Sequence, residues 1–85
     1  QKNVRERLAE LLVSLKATHG IKEGDRFKIE LKLTREEMAT MIGTANETLI
    51  RFMTEFKDAG IIEQEGKIIY IRDEEELLNW ANINY

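Results

Sequence analysis

Two copies of one short pattern lie ten residues apart in this chain. Thr34-Arg35-Glu36-Glu37 and Thr44-Ala45-Asn46-Glu47 each set a threonine three residues ahead of a glutamate. That is capping-box spacing: the hydroxyl accepts an orphan first-turn N–H and the carboxylate reaches back to the cap N–H. Two helix starts this close leave room for only about two turns of helix between them. Gly43 falls at the end of that short helix, where a turn demands a positive φ. Met38, Ala39 and Ile42 form its inner face, and small Ala39 lets a second helix cross closely. Leu49, Phe52, Met53 and Phe56 form the inner face of the next helix, which stops near Ala59-Gly60. The pattern predicts a helix-turn-helix with its second helix over residues 45–58.

The flanking segments complete the fold. Val4, Leu8, Leu11, Leu12 and Leu15 recur at helical spacing, with His19 and Gly20 placed for a last turn and a left-handed cap. Ile21 to Asp25 reads as a turn-rich loop. Phe27, Ile29, Leu31 and Leu33 alternate with Lys28, Glu30 and Lys32, the period of a half-buried strand. Ile61–Gln64 and Lys67–Ile71 read as a hairpin turning at Glu65-Gly66, and Asp73 to Trp80 as a short helix capped by Asp73 and Glu76. The order is helix, strand, helix, helix, strand, strand, helix. It defines an α+β fold, a winged helix-turn-helix over residues 1–72 with a helical extension, 73–85, packed on the same domain.

Composition narrows the function. Eighty-five residues suffice for one small domain. Without cysteine there is neither a disulfide framework nor a thiolate metal site. Apolar runs extend only a few residues, and no charged-then-apolar leader opens the chain, so a cytoplasmic domain with no membrane partner is expected. Gln1 in place of methionine suggests a fragment of something longer. The net charge of −3 argues mildly against nucleic acid. Its origin is local, however. Residues 1–62 carry 11 lysines and arginines against 10 acids, and residues 63–85 carry 2 against 6.

Catalysis finds no support. The single histidine, His19, and the single serine, Ser14, lie on different sides of the first helix, so no triad can form. The run Asp73–Glu76 could attract a hard cation, but acidic residues in a first turn are explained by the helix dipole. The outer face of the second capped helix is more informative. Asn46, Glu47, Ile50, Arg51 and Thr54 point away from its apolar side. In a major groove, Arg51 can bond guanine O6/N7, Glu47 can accept from cytosine N4, Asn46 can pair with adenine and Ile50 can touch a thymine methyl. Glu47 has a competing reading as the third residue of a capping box, and Asn46 as a local helix-start residue. Thr34 and Thr44 read first as caps and second as phosphate neighbours.

Leu33-Thr34-Arg35-Glu36-Glu37-Met38-Ala39, Ile42-Gly43, Glu47-Thr48-Leu49-Ile50-Arg51, Gly60-Ile61-Ile62 and Gly66-Lys67 together resemble the DNA-binding domain of the CRP/FNR family of bacterial transcription regulators, from about Arg7 to Arg72. The resemblance implies base reading by Glu47 and Arg51. Asn46 stands where the cyclic-AMP receptor has a base-reading arginine, a departure from the family pattern that leaves the half-site sequence open. It also implies backbone contacts by Thr34, Arg35, Thr48, Gly66 and Lys67, and a loop, Thr18–Asp25, at the place where some activators touch RNA polymerase. Family members carry a sensor barrel and a dimerisation helix upstream. A homodimer is therefore implied, with any effector, such as a cyclic nucleotide, bound outside this fragment and no cofactor within it. The rival reading is a winged-helix protein-interaction module without DNA binding, which the acidic balance favours.

Overall fold

The computed structural model describes residues 2–83. Eight elements follow in order: α1 (Val4–His19), β1 (Ile21–Glu23), β2 (Arg26–Glu30), α2 (Arg35–Ile42), α3 (Asn46–Asp58), β3 (Ile62–Glu65), β4 (Ile68–Ile71) and α4 (Glu74–Trp80). The strands form one antiparallel sheet in the order β1-β2-β4-β3. This is the expected α+β winged helix-turn-helix, with one more strand than the sequence predicts.

That strand, β1, occupies the expected loop. Its three residues are all exposed, so no apolar alternation announces it. It pairs with β2 through a two-residue turn, with Glu23 opposite Arg26 and Gly24 at φ +65°. A glycine first in a two-residue loop suits the twist of a hairpin. Gly20 also differs from expectation. It is extended, at φ −73° and ψ 135°, because it leads straight into β1. Glycine is needed there for space: a Cβ would meet the Lys16 carbonyl oxygen at 2.4 Å.

The first capping box forms as predicted. Thr34 Oγ1 accepts from the Glu37 N–H at 3.0 Å and Glu37 Oε1 accepts from the Thr34 N–H at 2.9 Å. A third box, unforeseen, opens α1, where Asn3 and Glu6 exchange the same two bonds at 2.8 and 2.9 Å. The second predicted box does not form. Ala45, not Thr44, is the N-cap of α3, and no side chain caps it. The cause lies in how α2 ends. Gly43, at φ +74°, and Thr44 donate to the carbonyls of Thr40 and Ala39 at 3.2 and 2.9 Å, the paired bonds of a Schellman motif. Thr44 therefore belongs to the close of α2 and cannot start α3. Gly60 and Ile61 close α3 in the same way on Lys57 and Phe56.

The core lies between the helices and one face of the sheet. Leu8 and Leu12 of α1, Ile29 of β2, Met38 and Ile42 of α2, Leu49 and Phe56 of α3, and Ile69 and Ile71 of β4 are buried together. Among the described residues no polar or charged side chain is buried with them. The wing hairpin pairs Ile62 with Ile71 and Glu65 with Ile68. Its turn is thus Gly66-Lys67, one residue later than predicted, with Gly66 at φ +59°. The last helix contributes Leu77 to the core and sets the Trp80 ring edge-on to Phe56, with centroids 4.9 Å apart. Its cap is half a box. Asp73 accepts from the Glu76 N–H at 3.0 Å, while the Glu76 carboxylate accepts from Asn79 instead.

Candidate nucleic-acid interface

The inner face of α3 determines its outer one. Leu49, Met53 and Phe56 are buried and Phe52 is half-buried, which turns Asn46, Glu47, Ile50, Arg51 and Thr54 to solvent. Ile50 is 41% exposed, one of three large apolar residues so placed among the described residues. Among the described residues the side chains of Asn46, Glu47 and Arg51 have no hydrogen-bond or ion-pair partner. The guanidinium of Arg51 lies 5.6 Å from the Phe52 ring centre. Because the second capping box is absent, Glu47 makes no reciprocal bond to the chain, and its carboxylate is available one turn from Arg51.

The remaining predicted residues fall into three places. Thr34 and Arg35 begin α2, and Arg35 is exposed. Thr44 is half-buried in the turn before α3, and Thr48 lines a groove beside Arg51. Gly66 and Lys67 form the exposed tip of the wing. Thr34 and Lys67 meet across an open cleft of about 550 Å³, which Lys32 also lines. In the sequence Lys32 stands only as a polar member of the strand alternation. Its signal was its place two residues before the Thr34 cap.

Charge on the wing is more balanced than its sequence suggests. Glu63 accepts from Arg26 at 3.1 Å and from Arg72 at 2.9 Å, and the Arg26 guanidinium covers the Tyr70 ring at 3.7 Å. The acidic run is occupied as well: Asp73 caps α4 and Glu74 pairs with Lys16. Among the described residues no group of three or more His, Asp or Glu side chains is placed to hold a metal ion. His19 Nδ1 sits 2.7 Å from Thr18 Oγ1.

A short helix, a turn at Gly43 and a second helix exposing free polar groups, backed by a hairpin wing, define the class: a winged helix-turn-helix domain. The Crp-like helix-turn-helix domain profile matches residues 6–80, and the chain belongs to that family. Over 79 residues it is 35% identical to the CRP-like cAMP-activated global transcriptional regulator of Mycobacterium tuberculosis, covering 93% of this chain and 35% of that protein. Over 77 residues it is 35% identical to the transcriptional activator protein anr of Pseudomonas aeruginosa, covering 91% and 32%. A CooA mutant from Carboxydothermus hydrogenoformans superposes with a TM-score of 0.88 at 34% identity, covering 94% of this chain and 37% of that one. The chain thus spans about a third of the length of the curated relatives it matches.

Proposed function

We propose that this chain is the DNA-reading part of a CRP/FNR-type bacterial transcription regulator, with α3 lying in the major groove of double-stranded DNA. One observation carries the reading. Asn46, Glu47, Ile50 and Arg51 stand exposed on one side of α3, and the polar side chains among them have no hydrogen-bond or ion-pair partner among the described residues. Arg51 takes guanine O6/N7 and Glu47 takes cytosine N4, while Asn46 pairs with adenine and Ile50 covers a thymine methyl. Each bidentate pair contributes about 1–3 kcal/mol of discrimination. Thr34, Arg35, Thr44, Thr48, Gly66 and Lys67 hold the sugar–phosphate backbone, helped by the N-terminal dipole of α2.

The reading extends to the whole protein: a cytoplasmic homodimer joined by an upstream helix, on half-sites about one helical turn apart. An effector such as a cyclic nucleotide binds outside these residues, and the domain itself uses no cofactor and catalyses no reaction. RNA polymerase meets the segment Thr18–Asp25, which holds the β1–β2 turn. The Mycobacterium tuberculosis and Pseudomonas aeruginosa relatives are both transcription regulators by name, and no helix among the described residues is long and apolar enough to cross a membrane.

Selection of binding sites from random duplexes tests it. Arg51→Ala should flatten the preference at one base pair by about 1–3 kcal/mol. Arg35→Ala should weaken binding to every sequence and lower the salt slope by about 0.9. An unaltered preference in Arg51→Ala overturns the groove assignment. Failure of the wild type to bind any duplex at low salt favours the protein-interaction module, the reading that the net charge of −3 supports.

A further inference from the structure

Beside the reading face an open groove of about 620 Å³ separates the first turn of α1 from the flank of α3. Thr48, Arg51 and Glu55 line it from α3, and Arg5 lines it from α1. Arg5 Nη1 donates to Glu55 Oε1 at 2.8 Å. The Arg5 guanidinium also lies 5.1 Å from the Trp80 ring centre. Neither partner is sequestered: the two side chains are 46% and 41% exposed. Glu55 follows Arg51 by four residues, about 40° further around the helix. It therefore sits on the shoulder of the reading face, where a helix in a major groove approaches the phosphate wall.

We infer that Glu55 is a brake on DNA affinity: it occupies Arg5, whose guanidinium shares a groove with Thr48 and Arg51 and fits a backbone phosphate of the duplex. The inference rests on the groove reading above. A guanidinium binds carboxylate and phosphate with the same planar fork, so Glu55 and a phosphodiester compete for one group. The competition is even enough to be reversed, since an exposed ion pair of this kind shifts an equilibrium by no more than about fivefold. Arg5 in the free protein is thus held ready beside the site, and Glu55 sets how much of its attraction to DNA is realised.

The test is a cycle of four proteins, the 85-residue wild type, Glu55→Gln, Arg5→Ala and the double variant, each titrated with random-sequence duplex across a range of salt. Glu55→Gln should bind about two- to fivefold tighter than wild type, with a salt slope steeper by about 0.9. Both gains should vanish when Arg5 is alanine. Deleting a carboxylate near DNA through bulk charge alone predicts the same gain in either background; that result, or no gain at all, overturns the brake. Trp80 is the only tryptophan and gives an independent readout. Its emission should change on saturation with duplex in the wild type and stay constant in Arg5→Ala. An unchanged wild-type emission overturns the brake even where a variant fails to fold. A wild type that binds with an uncoupled cycle leaves the groove reading standing, whereas a wild type that binds no duplex removes that reading first.

Discussion

Thr34 and Thr44 look alike in the sequence and do different work in the fold. Thr34 exchanges two hydrogen bonds with Glu37, while Thr44 contributes its backbone N–H to the end of α2 and no side-chain cap to α3. Thr34→Ala should therefore lower stability by about 1 kcal/mol, and Thr44→Ala should stay within about 0.5 kcal/mol, as measured by urea unfolding. Equal losses at the two positions would show that Thr44 caps after all. The same difference bears on Glu47. A carboxylate bound back to a cap is constrained by that bond, whereas the free one found here can follow a base edge. Arg51, its neighbour one turn on, lies beside the Phe52 ring and makes no hydrogen bond or ion pair among the described residues, so both charges are available to a partner outside the chain.

At the level of elements, what could be read in advance depended on where each element keeps its instructions. α2 and α3 carry apolar faces at helical spacing within a dozen residues, and β2 carries a strict alternation through Phe27 and Ile29, so these were legible. The strand β1 was not, because all three of its residues face solvent and only its partner makes it a strand. The wing turn moved by one residue because either placement puts Gly66 in the loop, and the pairing of Ile62 with Ile71 decides between them. At the site, the exposed face of α3 was legible from its inner one. The contact of Arg5 with Glu55 was not, since it joins residues fifty positions apart. Glycine shows the same limit. Gly60→Ala meets no atom within 4 Å and is opposed only by its φ of +76°, a cost of about 1–2 kcal/mol. Gly20→Ala has a permitted φ but drives a Cβ onto the Lys16 carbonyl, so its melting temperature should fall further than that of Gly60→Ala. The reverse order would mean that the junction of α1 and β1 yields easily.

For the molecule as a whole, net charge is a poor guide to what the surface can meet. Glu63 and Glu74 are paired with Arg26 and Lys16 from earlier in the chain, and Glu63 also with Arg72, so part of the acidity of the last third is neutralised within the fold. What remains is distributed by element, and the case for DNA rests on the placement of side chains on α3 and not on a sum. The ends of the fold are tied in a comparable way. Lys2 Nζ donates to the Ala81 carbonyl at 2.8 Å and to Glu10 at 2.6 Å, so the first helix starts where the last one stops. Joining Tyr85 to Gln1 would leave five residues between Ala81 and Lys2, a reach of roughly 16–18 Å, more than that seam requires. A chain circularised there and reopened in the exposed Gly24-Asp25 turn should keep its helical circular dichroism and unfold cooperatively. The loss of either would reveal that this domain depends on the order in which its pieces are synthesised as well as on the contacts they finally make.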